Sequence, residues 1–551
     1  MTAKVFAIKF LWKLNLFPLV LLLLAGCAAT TPAHHVAADY ELEVLVPGSA
    51  MHGVHGLAFD QHDVLYGASL VGYSVYRIDT QTGEVSTVVG PPLGNADDVA
   101  IGPDGTIAWT AGAFSAVHAL TPDGEFKVLA SNLPAVNSID YAPDGRLFVT
   151  QIFGGDALWE IDPLGVTEPR RVAKRLGGLN GFEVTADNQL YGPLFLKGKV
   201  VRVDLASGEV TEIADGFTVP AAVNLDAQGR LLVVDFDDGS VTRLDPELGD
   251  REIIAQLEPP LDNLAINSRD DIYVSNPATN TITEINPDTG ATREVTSGQF
   301  SAPGGISIAQ IDGRTVVMVA DFWGNRYFDA LTGERTMLSS PTGVMASASL
   351  TATDEVLALA SIWPFGLVYF IDRQAQKVIK TAKFKAPYNP VFLADGSVVV
   401  ADYKAGTLTR LAAGKSRDKS ELAGGLDGPL GLVVANDRQL YVGEYNGGRI
   451  WRIDVEGGAR HLVMDGLDRP EGLALTGDGL LLVAETGTQR LLRIEPGSGV
   501  IDVVADGLAI GLQGGEDLPR PFIPTGVAVD GEDNIYIAAD ITNELYKLTR
   551  K

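Results

Sequence analysis

The chain has 551 residues and sets 70 Asp and Glu against 42 Lys and Arg, a formal net charge of -28. That balance leaves no basic footprint for duplex nucleic acid, while the length allows two or more cores. The one cysteine, Cys27, excludes an intramolecular disulfide.

The first element in chain order is a leader. Lys4, Lys9 and Lys13 form a positive n-region, and Leu14 to Ala25 is mostly apolar but short for a membrane span. The stretch ends in Leu24-Ala25-Gly26-Cys27. It resembles a bacterial lipoprotein signal, which implies a signal peptide over residues 1–26, lipidation of Cys27, and attachment to the membrane through the lipid alone. Ala28 after the cysteine, rather than Asp, resembles lipoproteins sent on to the outer membrane. An ordinary secretory signal that contains a cysteine is the alternative. Residues 27–39 then read as a flexible tether, with His34 and His35 solvated within it.

From Tyr40 on, one phrase recurs about twelve times at a period of roughly 40 residues: a small or turn residue, a β-branched stretch, a D-G-type turn and a second apolar stretch. Gly472-Leu473-Ala474-Leu475 followed by Leu480 to Ala484 is one copy, and Gly526 to Val529 followed by Ile535 to Ala538 is another. A third strand such as Ile450-Trp451-Arg452-Ile453-Asp454 and a fourth such as Glu84 to Val89 complete the unit. Four short strands at this spacing predict an all-β chain of β-propeller blades. Inner strands are expected near His55, Asp97, Asn137, Asn180, Ala221 and Asp262, and again near Gly304, Ser347, Asn389, Leu430, Glu471 and Thr525. Twelve blades in one ring would leave a wide hole, so the expectation is two tandem six-bladed propellers, residues 40–288 and 289–551. Tyr40 to Val46 and Thr292 to Thr296 are each expected to close their own ring as an N-terminal outer strand.

A propeller aims the heads of its innermost strands at the central channel. In the first ring that column reads His55, Asp97, Asn137, Asn180, Ala221 and Asp262, with Asp98 and Asn263 alongside. Converging carboxylates and amide oxygens suit a hard cation, since calcium takes six to eight oxygen ligands. The plainer account of the same column is a hydrogen-bonded, water-filled channel.

His55-Gly56-Leu57, Asn180-Gly181-Phe182 and Asp262-Asn263-Leu264-Ala265-Ile266 resemble strand heads of the gluconolactonase, senescence-marker-protein and paraoxonase superfamily. That resemblance implies a six-bladed, calcium-dependent lactone or ester hydrolase in the first ring. It implies one Ca2+ or other divalent cation held by Asp97, Asn137, Asn180 and Asp262, with Asn263 or Asp98 adding an oxygen. His55 is the implied base, with Asp98 or Asp97 as the alternative. No glutamate stands at a first-ring head, where the family has one, and Ala221 interrupts the column. His52 and His62 read as loop residues.

In the second ring, Asp321, Asp402, Glu444, Glu485 and Asp540 end the second strands in phrases that resemble NHL repeats, and an acid there is expected to cap a turn. Phe322-Trp323-Gly324 and Ile362-Trp363-Pro364-Phe365 add aromatics near one mouth. Ala412-Ala413-Gly414-Lys415-Ser416 lacks the first glycine of a phosphate loop, and neither H-E-x-x-H nor G-x-S-x-G occurs. The expected function is a calcium-dependent lactonase- or esterase-like envelope lipoprotein acting on a small molecule. A non-catalytic scaffold for envelope proteins or glycans is the alternative.

Overall fold

The computed structural model describes residues 34–339, 347–352, 356–361, 365–512 and 523–551. Cys27 and the leader lie outside the described residues, as do residues 362–364 of the second aromatic loop.

The described chain is all-β, with one short 3-10 turn at Gly112–Phe114 and no α-helix. It forms twelve antiparallel sheets; eleven have four strands and one has five. This is a β-propeller architecture. Second strands such as Leu231–Asp235, Val398–Asp402 and Leu481–Glu485 are buried along their whole length. They are therefore continuous apolar runs, because both of their faces pack on neighbouring sheets. Fourth strands such as Val210–Ala214 and Arg460–Met464 are largely exposed and polar.

The innermost strands neighbour one another in two closed series. One runs through Val54–Phe59, Ala96–Ile101, Val136–Tyr141, Glu183–Val184, Pro220–Leu225 and Leu264–Ile266, and returns to its start. The other runs through Pro303–Ile311, Ser347–Ala352, Pro387–Phe392, Pro429–Asn436, Pro470–Leu475 and Val527–Val529, and also returns. Met51, Val54, Leu57, Ala265 and Tyr273 share the apolar cluster where the first series closes, and Val46, Phe300, Val317, Tyr536 and Leu545 share the one where the second closes.

The terminal strands depart from the sequence expectation. Thr292–Thr296 pairs with Thr281–Ile285, so it finishes the last sheet of the first series. A short turn joins these two strands, and the local hairpin forms at little loop-closure cost. Tyr40–Val46 pairs with Glu544–Arg550, at the far end of the chain, and finishes the last sheet of the second series. The first series therefore consists of six sheets, each built from consecutive strands, and the shared terminal strand belongs to the second. The tether is also docked in part. His35–Val36 adds a fifth strand beside Ile501–Asp506, and His34 Nδ1 lies 3.0 Å from the Gly507 carbonyl.

The two series meet face to face at their strand heads. One apolar cluster joins Val71, Ala278 and Phe236 of the first to Phe322, Trp323, Tyr388 and Tyr445 of the second. His52, expected as a loop residue, is buried in this junction with Nε2 2.8 Å from the Asp540 carbonyl, and burial lowers its pKa. Asn280 Nδ2 donates to the carbonyls of Met51 and Phe300, both at 2.6 Å.

Candidate functional site: the first channel

The register of the inner strands explains why their head residues leave the ladder. Pairing shifts between Val54 and Leu57, between Ala96 and Val99, and between Val136 and Ile139. His55, Asp97, Asp98, Asn137 and Ser138 fall inside these bulges, a device that re-aims side chains out of a sheet. Crowding at the heads is severe. A Cβ on Gly56 would lie 2.0 Å from Asp98 Oδ1, so only glycine lets Asn263 reach across the first sheet to Asp98.

His55 is buried, and its Nδ1 lies 2.9 Å from Asp262 Oδ2. A carboxylate at that nitrogen makes Nδ1 the donor and leaves Nε2 as the acceptor in the neutral ring. Nε2 is buried and has no hydrogen-bond partner. Burial opposes charge on this imidazole, but the hydrogen bond to Asp262 and the charges of Asp262, Asp97 and Asp98 outweigh it and raise the pKa. Ser275 Oγ fixes the backbone by donating to the His55 carbonyl at 2.6 Å.

Asp97 accepts a hydrogen bond from Asn137 Nδ2. Burial, tempered by His55 and reinforced by Asp262, pushes the Asp97 carboxyl up to about 6. Ser138 Oγ lies 2.9 Å from Asn180 Oδ1 and 3.1 Å from Asn137 Oδ1, and its single proton serves one of them at a time. The structure thus brings His55 to Asp262, Asp97 to Asn137, and both Asn137 and Asn180 to Ser138.

Asp98 and Asn263 are committed elsewhere. Asp98 Oδ1 accepts from Val99 N at 2.9 Å and Asn263 Nδ2 at 3.0 Å, and its Oδ2 accepts from Ile139 N at 3.2 Å. Asn263 Oδ1 accepts from Leu264 N at 2.7 Å. Asp98 is therefore a tie between strands with both carboxylate oxygens engaged, and the Asn263 amide links it to Leu264.

Two acids that sequence reasoning passed over repeat the Asp98 device. Asp140 Oδ2 accepts from Val184 N at 2.8 Å, and Glu183 Oε2 accepts from Leu225 N at 2.5 Å. Inner strands of neighbouring blades do not pair as a ladder, so these carboxylates satisfy N–H groups that would otherwise be orphaned. Burial raises both, Asp140 well above the usual range and Glu183 to about 7. Asp140, Glu183 and Asn224 each stand three residues beyond a strand head in successive blades, a signal the sequence did carry.

The residues fit a cation in part. Asp97 Oδ1 and Asp262 Oδ1 accept no described hydrogen bond. Among the described residues, no three His, Cys, Asp or Glu side chains gather to share a metal. A cation here would draw on those two carboxylates, the Asn137 and Asn180 amide oxygens, and water.

In the second channel, a cavity of 460 Å³ is lined by all six inner strands, and its polar members include Ser349, Asn389, Glu471 and Thr525. The acids that end its second strands hold backbone N–H groups from earlier in the chain, for Asp321 and Asp402 just ahead of the same sheet's inner strand. Asp321 takes Ser301 N and Ala302 N, Asp402 takes Lys385 N and Ala386 N, and Asp540 takes Gly511 N and Leu512 N. They hold preceding backbone, and Asp402 and Glu485 also accept from the turn that follows the strand, from Ala405 N and Thr488 Oγ1, as expected.

Fold and channel together define a β-propeller protein with a polar, carboxylate-bearing channel. No protein-family model and no curated protein matches the chain. Among solved structures it is similar to the extracellular domain of the hybrid two component system BT3049 from B. thetaiotaomicron, at 11% identity over 91% of this chain and 76% of that one, with a TM-score of 0.35. It is similar to the extracellular domain of the one component system BT4673 from the same organism, at 11% identity over 92% of this chain and 82% of that one, with a TM-score of 0.31. It is also similar to virginiamycin B lyase from Staphylococcus aureus, at 14% identity over 68% of this chain and 96% of that one, with a TM-score of 0.24.

Proposed function

We propose that the chain forms two six-bladed propellers, the first from residues 52–296 and the second from residues 40–46 together with 303–551. In this reading the protein is a lipoprotein of the bacterial envelope, anchored through Cys27, and its first channel hydrolyses a small lactone or ester with the help of calcium. The envelope location draws on the leader sequence. The hydrolytic reading draws above all on the buried His55–Asp262 pair, whose Nε2 has no partner.

The chemistry follows from that pair. Asp262 holds the ring so that Nε2 takes a proton from water as the water oxygen adds to the carbonyl carbon. The same nitrogen then returns the proton to the leaving alkoxide oxygen, so that ester and water become acid and alcohol. Asp97 and Asp262, with Asn137 and Asn180, would hold the cation, which would supply Lewis acidity to the substrate carbonyl. Asp98 and Asn263 keep the strand heads in register. The alternative, a scaffold that binds an envelope protein or glycan, draws on the exposed Phe153 and Leu196.

Initial rates on p-nitrophenyl esters and γ-lactones test the proposal, with and without chelator. Turnover should fall about 10²- to 10⁴-fold in His55→Gln. It should also vanish on chelation and return with calcium. Full turnover in His55→Gln, or a folded wild type that hydrolyses nothing in the panel, would pass the claim to the scaffold reading.

A further inference from the structure

Trp323 belongs to the second series but stands at the first channel. It is the second residue of a two-residue loop between Asp321 and Gly324, which pair across a hairpin. Gly324 has φ 134, a backbone that disfavours any side chain there. The loop is fixed from both sides. Asp321 and Arg326 form a fully buried ion pair at 2.9 Å, and Arg326 Nη2 donates across the junction to the Ala278 carbonyl. The result sets the indole against the catalytic imidazole, with ring centroids 5.4 Å apart.

Two unpartnered groups meet here. Trp323 Nε1 and His55 Nε2 are both buried, and neither has a hydrogen-bond partner. A buried donor and a buried acceptor on neighbouring rings offer a ligand between them one contact of each kind. A path of aromatic rings leads to the spot. Phe236 lies 5.8 Å from Trp323, Phe195 lies 5.9 Å from Phe236, and Phe153 lies 6.5 Å from Phe195. Phe153 is 74% exposed, so the path begins in solvent.

We propose that the second propeller completes the first propeller's site. Trp323 Nε1–H donates to an oxygen of the bound ester or lactone, and Trp323, Phe236 and Phe195 wall an alkyl chain on its acyl side. This rests on the hydrolase reading for the reaction, but not for the binding. The preferred substrates are accordingly esters with an extended apolar substituent, and the polar end is the one that reaches His55.

The test uses the soluble chain from residue 39 onward, with p-nitrophenyl acetate and p-nitrophenyl octanoate as substrates. Trp323→Phe keeps a ring and removes the donor. It should lower kcat/KM on both esters at least about tenfold, with calcium binding unchanged. Phe195→Ala, at a partly exposed position, should raise KM for the octanoate and spare the acetate. Wild-type kcat/KM in Trp323→Phe, or equal effects of Phe195→Ala on both esters, would overturn the proposal. If the wild type hydrolyses neither ester, calorimetry with N-(4-nitrophenyl)octanamide decides it. Binding weakened about tenfold or more in Trp323→Phe upholds the composite site, and absent or unchanged binding overturns it.

Discussion

Glu183 and Asp140 illustrate what a buried tie costs. Each satisfies an N–H group of the next inner strand, yet burial pushes Glu183 to about 7 and Asp140 well above the ordinary range. A carboxyl raised in the folded state keeps a proton that the unfolded chain releases. Its contribution is complete below the unfolded value and is lost as pH rises through the folded one. Glu183 alone should therefore remove roughly 3 kcal/mol of stability between about pH 4 and pH 8. Burial acts in the same sense on Glu471, which lines the second channel, and on Asp540. Urea midpoints should fall from pH 5 to pH 8, and Glu183→Gln should flatten that slope while still accepting from Leu225 N. An unchanged slope in the variant would mean that Glu183 is not the group that titrates. The head column from His55 to Asp262 was legible in the sequence because strand heads recur at a fixed period. The committed roles of Asp98 and Asn263 were not, because they depend on which backbone N–H the neighbouring blade leaves unpaired.

At the scale of elements, strands and hairpins were legible from apolar runs broken by D-G turns, and closure was not. An isolated strand such as Tyr40–Val46 carries an apolar pattern but no mark of its partner, and the partner it finds is Glu544–Arg550, at the far end of the chain. Symmetry between the rings points Thr292–Thr296 forward, whereas the nearest hairpin takes it backward. Removing residues up to Val46 should therefore speed amide exchange in Leu545 to Leu548 and leave Leu264–Ile266 protected. Loss of protection in the first series instead would contradict this pairing. The Asp321–Arg326 pair is the second element-scale device. Taking away one partner of a buried pair leaves an uncompensated charge, so Arg326→Ala should cost about 3–5 kcal/mol. A loss within about 1 kcal/mol, in denaturant titration, would show that the pair is not the anchor of the Trp323 loop.

Over the whole molecule, the first series is inserted between the terminal strand of the second and the rest of it. The chain leaves Val46, builds the six sheets of the first series up to Thr296, and only then begins the inner strand Pro303–Ile311. Such an insertion ties the two series at both ends of the inserted segment. It also lets a loop of one series, Phe322–Trp323, reach the channel of the other. None of this depends on acidic composition, which bears on solubility and on attraction for cations. The central claim is that Asp97 and Asp262 hold a divalent cation beside His55. The most direct measurement is calorimetric titration of calcium into the soluble chain from residue 39 onward, after chelator treatment. The account predicts one site per chain, lost in Asp97→Ala and retained in Glu471→Gln. Absence of calcium binding, or a site that survives Asp97→Ala, would contradict it.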